Sequence, residues 1–150
     1  MTVGPDAYRY LYAARGHPVP RPFHLRWLLP ATCGDSLPAW RWVRLASWPL
    51  IVAGFIGWQH AAGWQAAVIG AVLLVGLSGI RGPDAVIPVG VDLPATAVSL
   101  LACWALTGTH PAQIIGGLVL VGLGATIRET VPVWVAMWVW SPLPLLLLIV

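Results

Sequence analysis

The sequence predicts an all-α integral membrane protein with about five transmembrane helices, on three observations. The first is the spacing of charge. The 36 residues between Arg44 and Arg81, the 35 between Asp92 and Arg128, and the last 21, Thr130 to Val150, contain no Asp, Glu, Lys or Arg. A single helix across the longest gap would reach roughly 54 Å, far more than a hydrocarbon core of about 30 Å, so each long gap reads as two spans and a tight turn. The second is composition. The chain is 59% hydrophobic and 9% charged, against about 25% charged in soluble domains, which favours lipid as solvent over one large buried core. The third is the sidedness of the arginines, which needs the elements in order.

Residues 1–44 read as an arginine-rich, aromatic cytoplasmic or interfacial segment, and residues 45–150 as a transmembrane helical domain. The first segment holds six of the eight arginines, Arg9, Arg15, Arg21, Arg26, Arg41 and Arg44, and all three tyrosines. Prolines at 18, 20, 22 and 30 divide it. Asp6 to Ala14 predicts one short helix and Phe23 to Leu29 another. Arginines interleaved with Tyr8, Tyr12, Phe23, Trp27 and Leu28 suit a segment lying on an anionic leaflet, with those six arginines as headgroup contacts. The alternative is a partly disordered tail that only satisfies topology.

Ser36 followed by Pro38 predicts a helix start, with a hydroxyl cap and a proline in the first turn. That helix carries Trp40, Arg41, Trp42 and Arg44 at the interface and enters the bilayer near Leu45. Span 1 covers roughly 45–61, with Pro49 as a kink; span 2 roughly 64–80; span 3 roughly 93–108; span 4 roughly 111–127; and span 5 roughly 131–150. No cleavable signal peptide is legible, so span 1 serves as its own insertion signal.

With the N-terminus in the cytoplasm, the loop 81–92 and the segment 128–130 are cytoplasmic as well. They hold the remaining arginines, Arg81 and Arg128, while the opposite turns Gln59–Gly63 and Thr107–Gln113 hold none. All the arginines fall on one side, as the positive-inside rule requires, and five spans leave the C-terminus outside a cell (inner or plasma) membrane. Trp40, Trp42, Trp48, Trp58, Trp64 and Trp134 sit near span ends, where aromatic belts form.

The first four spans also read as two similar hairpins. Val68–Leu77 is VIGAVLLVGL and Ile114–Leu123 is IIGGLVLVGL, 46 residues on and identical at six of ten positions. Trp58 matches Trp104 and Val52 matches Val98 at the same offset. Two spans per unit preserve direction, so the repeats would be parallel, about an axis along the membrane normal. Ala67, Ala71 and Ser78 lie near one face of span 2, and Gly117 and Gly124 are the matching positions of span 4. Small residues at these spacings let backbones approach, so they are the expected helix-packing sites: span 2 on span 4, or on a second copy.

Little catalytic chemistry is legible. His60 and His110 stand in the two external turns, without a nearby carboxylate or thiolate to complete a metal shell, and read as interfacial polar residues. No Asp, Glu, Lys or Arg lies within a predicted span, which counts against ion-coupled transport. Span polar atoms are few: Ser47, Ser78, Ser99, Cys103 and Thr126. Arg81 with Asp84, and Arg128 with Glu129, read as local pairs at helix ends. No disulfide is expected between Cys33 and Cys103, and no metal, cofactor or nucleic acid is implied.

The expected function is therefore non-enzymatic: an oligomeric or partner-docking membrane component whose partners are anionic headgroups and either further copies or another membrane protein. The alternatives are a pore-forming protein and, more weakly, a small-solute transporter. In size and span count the chain resembles lysis-pore proteins of the holin type, although those often end in a charged tail and this chain ends in LLLLIV.

Overall fold

A computed structural model describes residues 5–64, 68 and 89–139. The described elements are α1 (Pro5–Ala14), a 3-10 turn (Phe23–Leu25), α2 (Leu28–Cys33), α3 (Leu37–Ala62), α4 (Asp92–Leu106), α5 (Pro111–Ile127) and α6 (Val131–Val139). The fold is all-helical, with no strand among the described residues.

Local chemistry places the helix ends. Ser36 caps α3, its Oγ accepting the Ala39 N–H at 3.4 Å, with Pro38 in the first turn. Gly63 ends α3 at φ +84°, where its N–H donates to the Gln59 carbonyl at 2.8 Å; that left-handed backbone suits glycine. Pro49 does not interrupt the helix. His110 caps α5 through Nδ1, which accepts the Ala112 N–H at 3.2 Å ahead of Pro111.

α4 is the central helix and packs against α3, α5 and α6. Its buried residues are mainly small: Ala95, Ala97, Ala102 and Cys103 alongside Leu93 and Leu100. α3 and α4 run in the same direction, since a Cβ on Gly54 would meet Leu100 and Leu101, and one on Gly57 would meet the Trp104 ring. α5 runs antiparallel to α4, with Gly117 against Leu106 and Gly124 against Val98. This glycine contact closes the bundle, because a missing side chain lets two backbones approach.

Helices lie where spans 1, 3 and 4 were expected, span 1 inside α3, span 3 matching α4 within a few residues and span 4 coinciding with α5. Their expected length across a membrane is not. Among the described residues no helix is long and apolar enough to cross a membrane. α3 has 26 residues but carries Arg41, Arg44, Pro49, Gln59 and His60; α5 is strongly apolar but has 17 residues, and α4 has 15. Most of span 2 and the second half of span 5 lie outside the described residues, and Ala67, Ala71 and Ser78 with them.

The N-terminal segment is neither a loose tail nor a sheet of headgroup contacts alone. The 44/45 boundary falls inside α3, and Ala7, Tyr10, Phe23, Leu29, Cys33 and Trp40 are buried in the same core as α3 to α6. The second short helix is shifted from the expected 23–29: a 3-10 turn takes Phe23–Leu25 and α2 starts at Leu28.

Candidate interfacial site at the charged end

α1 is amphipathic. Ala7 and Tyr10 face inward, and Tyr8 and Tyr12 face outward. The inward face sets Tyr10 edge-on to Phe23, with ring centroids 5.3 Å apart, and 6.1 Å from Trp40. Trp40 donates its indole N–H to the Gly34 carbonyl at 3.0 Å, which ties the start of α3 to the end of α2. The guanidinium carbons of Arg9 and Arg26 lie 4.8 and 5.1 Å from the Phe23 ring centroid.

Arg26 is the centre of this end. Its Nε and Nη2 donate to Oε2 and Oε1 of Glu129, both at 2.7 Å, and its Nη1 donates to the Tyr10 hydroxyl oxygen at 2.9 Å. A two-pronged fork of this kind is the strongest geometry available to an arginine and a carboxylate. Only 12% of the Arg26 side chain and 27% of the Glu129 side chain are exposed. The Arg26 hydrogen bonds hold the Glu129 carboxyl below the usual carboxylate range, against the opposing effect of burial. Glu129 in turn raises the Arg26 guanidinium further. Burial pushes the Tyr10 hydroxyl up, more than its bond from Arg26 lowers it.

The remaining acids near this end are also matched. Arg128 pairs with Asp92, joining the end of α5 to the start of α4. Arg9 stands 3.7 Å from Asp6, and Arg15 stands 3.5 Å from Asp35, both pairs well exposed. Arg21 and Arg41 are exposed, and Arg44 is half-buried and makes a contact of its own.

Three expectations are corrected here. Arg26 is committed to Glu129 and is not a free headgroup contact. Glu129 pairs across 103 residues with Arg26, and Arg128 pairs with Asp92 in place of its neighbour, so Arg128 and Glu129 are not local partners; Arg81 and Asp84 lie outside the described residues. Trp40 and Trp58 are buried and belong to no exposed belt. Trp58 lies against Trp138 with centroids 4.8 Å apart, and its indole N–H has no hydrogen-bond partner among the described residues.

Gly117 and Gly124 pack against Leu106, Val98 and Val131 of the same chain. Gly54 and Gly57 of α3, three residues apart and so outside the spacings of four and seven, also pack closely, against Leu100, Leu101 and Trp104. Nothing in the sequence points to the Arg26–Glu129 pair, because ion pairing between distant segments leaves no spacing to read. Cys33 and Cys103 are free thiols, both buried. Among the described residues no group of three or more His, Cys, Asp or Glu could hold a metal ion. Ser47, Ser99 and Thr126 each donate the hydroxyl proton to a carbonyl of their own helix, Val43, Ala95 and Leu123 respectively.

No protein-family model, curated protein or solved structure matches the chain.

Proposed function

We propose that this chain is a non-enzymatic multi-pass protein of a cell membrane, with a cytoplasmic N-terminus, that acts by docking a membrane partner or further copies of itself. The observation that carries the reading is the arrangement of its surface. Val52 and Ile56 on α3, Ile115, Val119 and Leu123 on α5, and Val133 and Met137 on α6 form exposed aliphatic stripes. Exposed aromatic residues flank them: Tyr8, Tyr12, Trp27 and Trp42 at the charged end, Trp64 and Trp104 towards the other. Aliphatic surface between two aromatic rims is the pattern that a hydrocarbon layer selects.

Topology supports the same reading. The parallel course of α3 and α4 puts the end of one and the start of the other at opposite ends of the bundle, as a returning span over 64–80 requires. Facing residues of α3 and α4 differ by 46 or 47 positions. A rotation about the membrane normal keeps every residue at its own depth, so parallel hairpins repeated at an offset of 46 would bring equivalent positions level.

Expression in a bacterial host tests the proposal. The protein should stay with the membranes through an alkaline carbonate wash, and the membrane potential should stay unchanged. A fluorescent reporter that matures only in the cytoplasm, fused after Val150, should stay dark. Release into the supernatant would remove the membrane reading. Rapid depolarisation would replace the docking role with a pore.

A further inference from the structure

We infer that, among the described residues, Arg21 and Arg41, each followed in the chain by an exposed tryptophan, Trp27 and Trp42, carry the anionic-lipid contact of this protein; this rests on the membrane reading above. The structure separates the arginines by what already holds them. Every described acid has an arginine: Asp6 has Arg9, Asp35 has Arg15, Glu129 has Arg26 and Asp92 has Arg128. Arg44 makes its own contact and is left out of the assignment. Arg21 and Arg41 are exposed and have no carboxylate within salt-bridge distance among the described residues.

Each of the two has an exposed indole close by in the chain. Trp42 follows Arg41 on α3 and is 70% exposed, and Trp27 lies six residues beyond Arg21 and is 54% exposed. An indole favours the headgroup level of a bilayer, where its ring meets the acyl boundary and its N–H meets water and phosphate. An exposed arginine fork at the same end of the protein matches the phosphate oxygens of an anionic phospholipid. Trp42 also begins an exposed ladder on α3 that continues through Leu45, Trp48, Val52 and Ile56. The Arg41–Trp42 couple therefore stands where the aliphatic surface of that helix gives way to charge. Arg9 and Arg15 reach the same surroundings already neutralised, so they add little attraction for a headgroup.

The test uses the full chain in bilayers of phosphatidylcholine with small amounts of spin-labelled lipid, either phosphatidylglycerol or phosphatidylcholine. The fraction of immobilised label gives the relative affinity for the two headgroups. The wild type should prefer phosphatidylglycerol. Each substitution of Arg21→Gln and Arg41→Gln should lower that preference by up to about fivefold, the value for one basic residue near an anionic leaflet. Arg21→Lys with Arg41→Lys should retain most of it, and removing the two exposed ion pairs whole, Asp6→Asn with Arg9→Gln and Arg15→Gln with Asp35→Asn, should leave it nearly unchanged. A preference that survives Arg21→Gln with Arg41→Gln would overturn the assignment, as would equal loss in the protein that lacks both exposed ion pairs. A chain that immobilises no lipid of either kind would instead overturn the membrane reading itself.

Discussion

The charged end and the glycine seam hold the same helices together by opposite means. At the charged end, long side chains reach across gaps: Arg26 spans from the N-terminal segment to the α5–α6 turn, and Arg128 from α5 to α4. Along the seam, side chains are missing, and the space is taken by the neighbouring helix: by the Leu100–Leu101 backbone at Gly54 and by the side chains of Trp104, Leu106 and Val131 at Gly57, Gly117 and Gly124. The polar tie depends on protonation state and tolerates small movements. The seam depends on volume alone and tolerates none. The two segregate because a charged fork is costly to desolvate away from water, whereas close backbone contact costs nothing in a dry environment.

The comparison predicts a ranking. Gly54→Leu should be the most damaging single change, because its Cβ would meet the Leu101 backbone nitrogen at 2.9 Å, an atom that cannot swing away. A loss of about 3 kcal/mol or more in unfolding free energy in mild detergent is expected. A loss below that of Gly117→Leu, whose nearest obstacle is the movable Leu106 side chain, would break the account of the seam.

Next comes the fork. Glu129→Gln leaves a largely buried guanidinium without its counter-charge and should cost about 2 kcal/mol, reduced from the fully buried value by the remaining exposure of Glu129. Its pH dependence has a definite sign. The folded carboxyl lies below its usual value of 4.5. The contribution is therefore fully present above that value and lost as pH falls through the folded one. The difference between wild type and Glu129→Gln should hold at neutral pH and shrink below about pH 4.5. A difference unchanged in acid would show that the fork contributes no charge pairing.

Smaller effects sharpen the contrast. Tyr10→Phe removes one bond from Arg26 but keeps the ring against Phe23, and should cost about 1 kcal/mol. Gly116 has open space around its missing Cβ, so Gly116→Ala should stabilise α5 by about 0.5 to 1 kcal/mol, opposite in sign to the seam glycines. Thermal scans of the two variants side by side check both.

Local signals were well read from the sequence. The α3 cap at Ser36, the α5 start after His110 and the ends near Gly63 and Ile127 follow from residue types within a few positions of each other. The packing glycines of α5 were legible by spacing, but their partner was not, because spacing identifies a face and says nothing of what lies opposite. Arg26 shows the same limit more strongly. Among six similar arginines, only its position against Glu129 separates a structural clamp from a surface charge.

The sequence by itself determined that the described residues are helical, where α4 and α5 begin and end within a few residues, and that long apolar runs carry no charge, because capping, apolar runs and charge spacing act over a few residues. The tertiary structure alone decided which arginine is buried, which acid it meets and which glycines touch. Those outcomes depend on helices separated by dozens of residues arriving at one place, and close packing and ion pairing are set by that meeting.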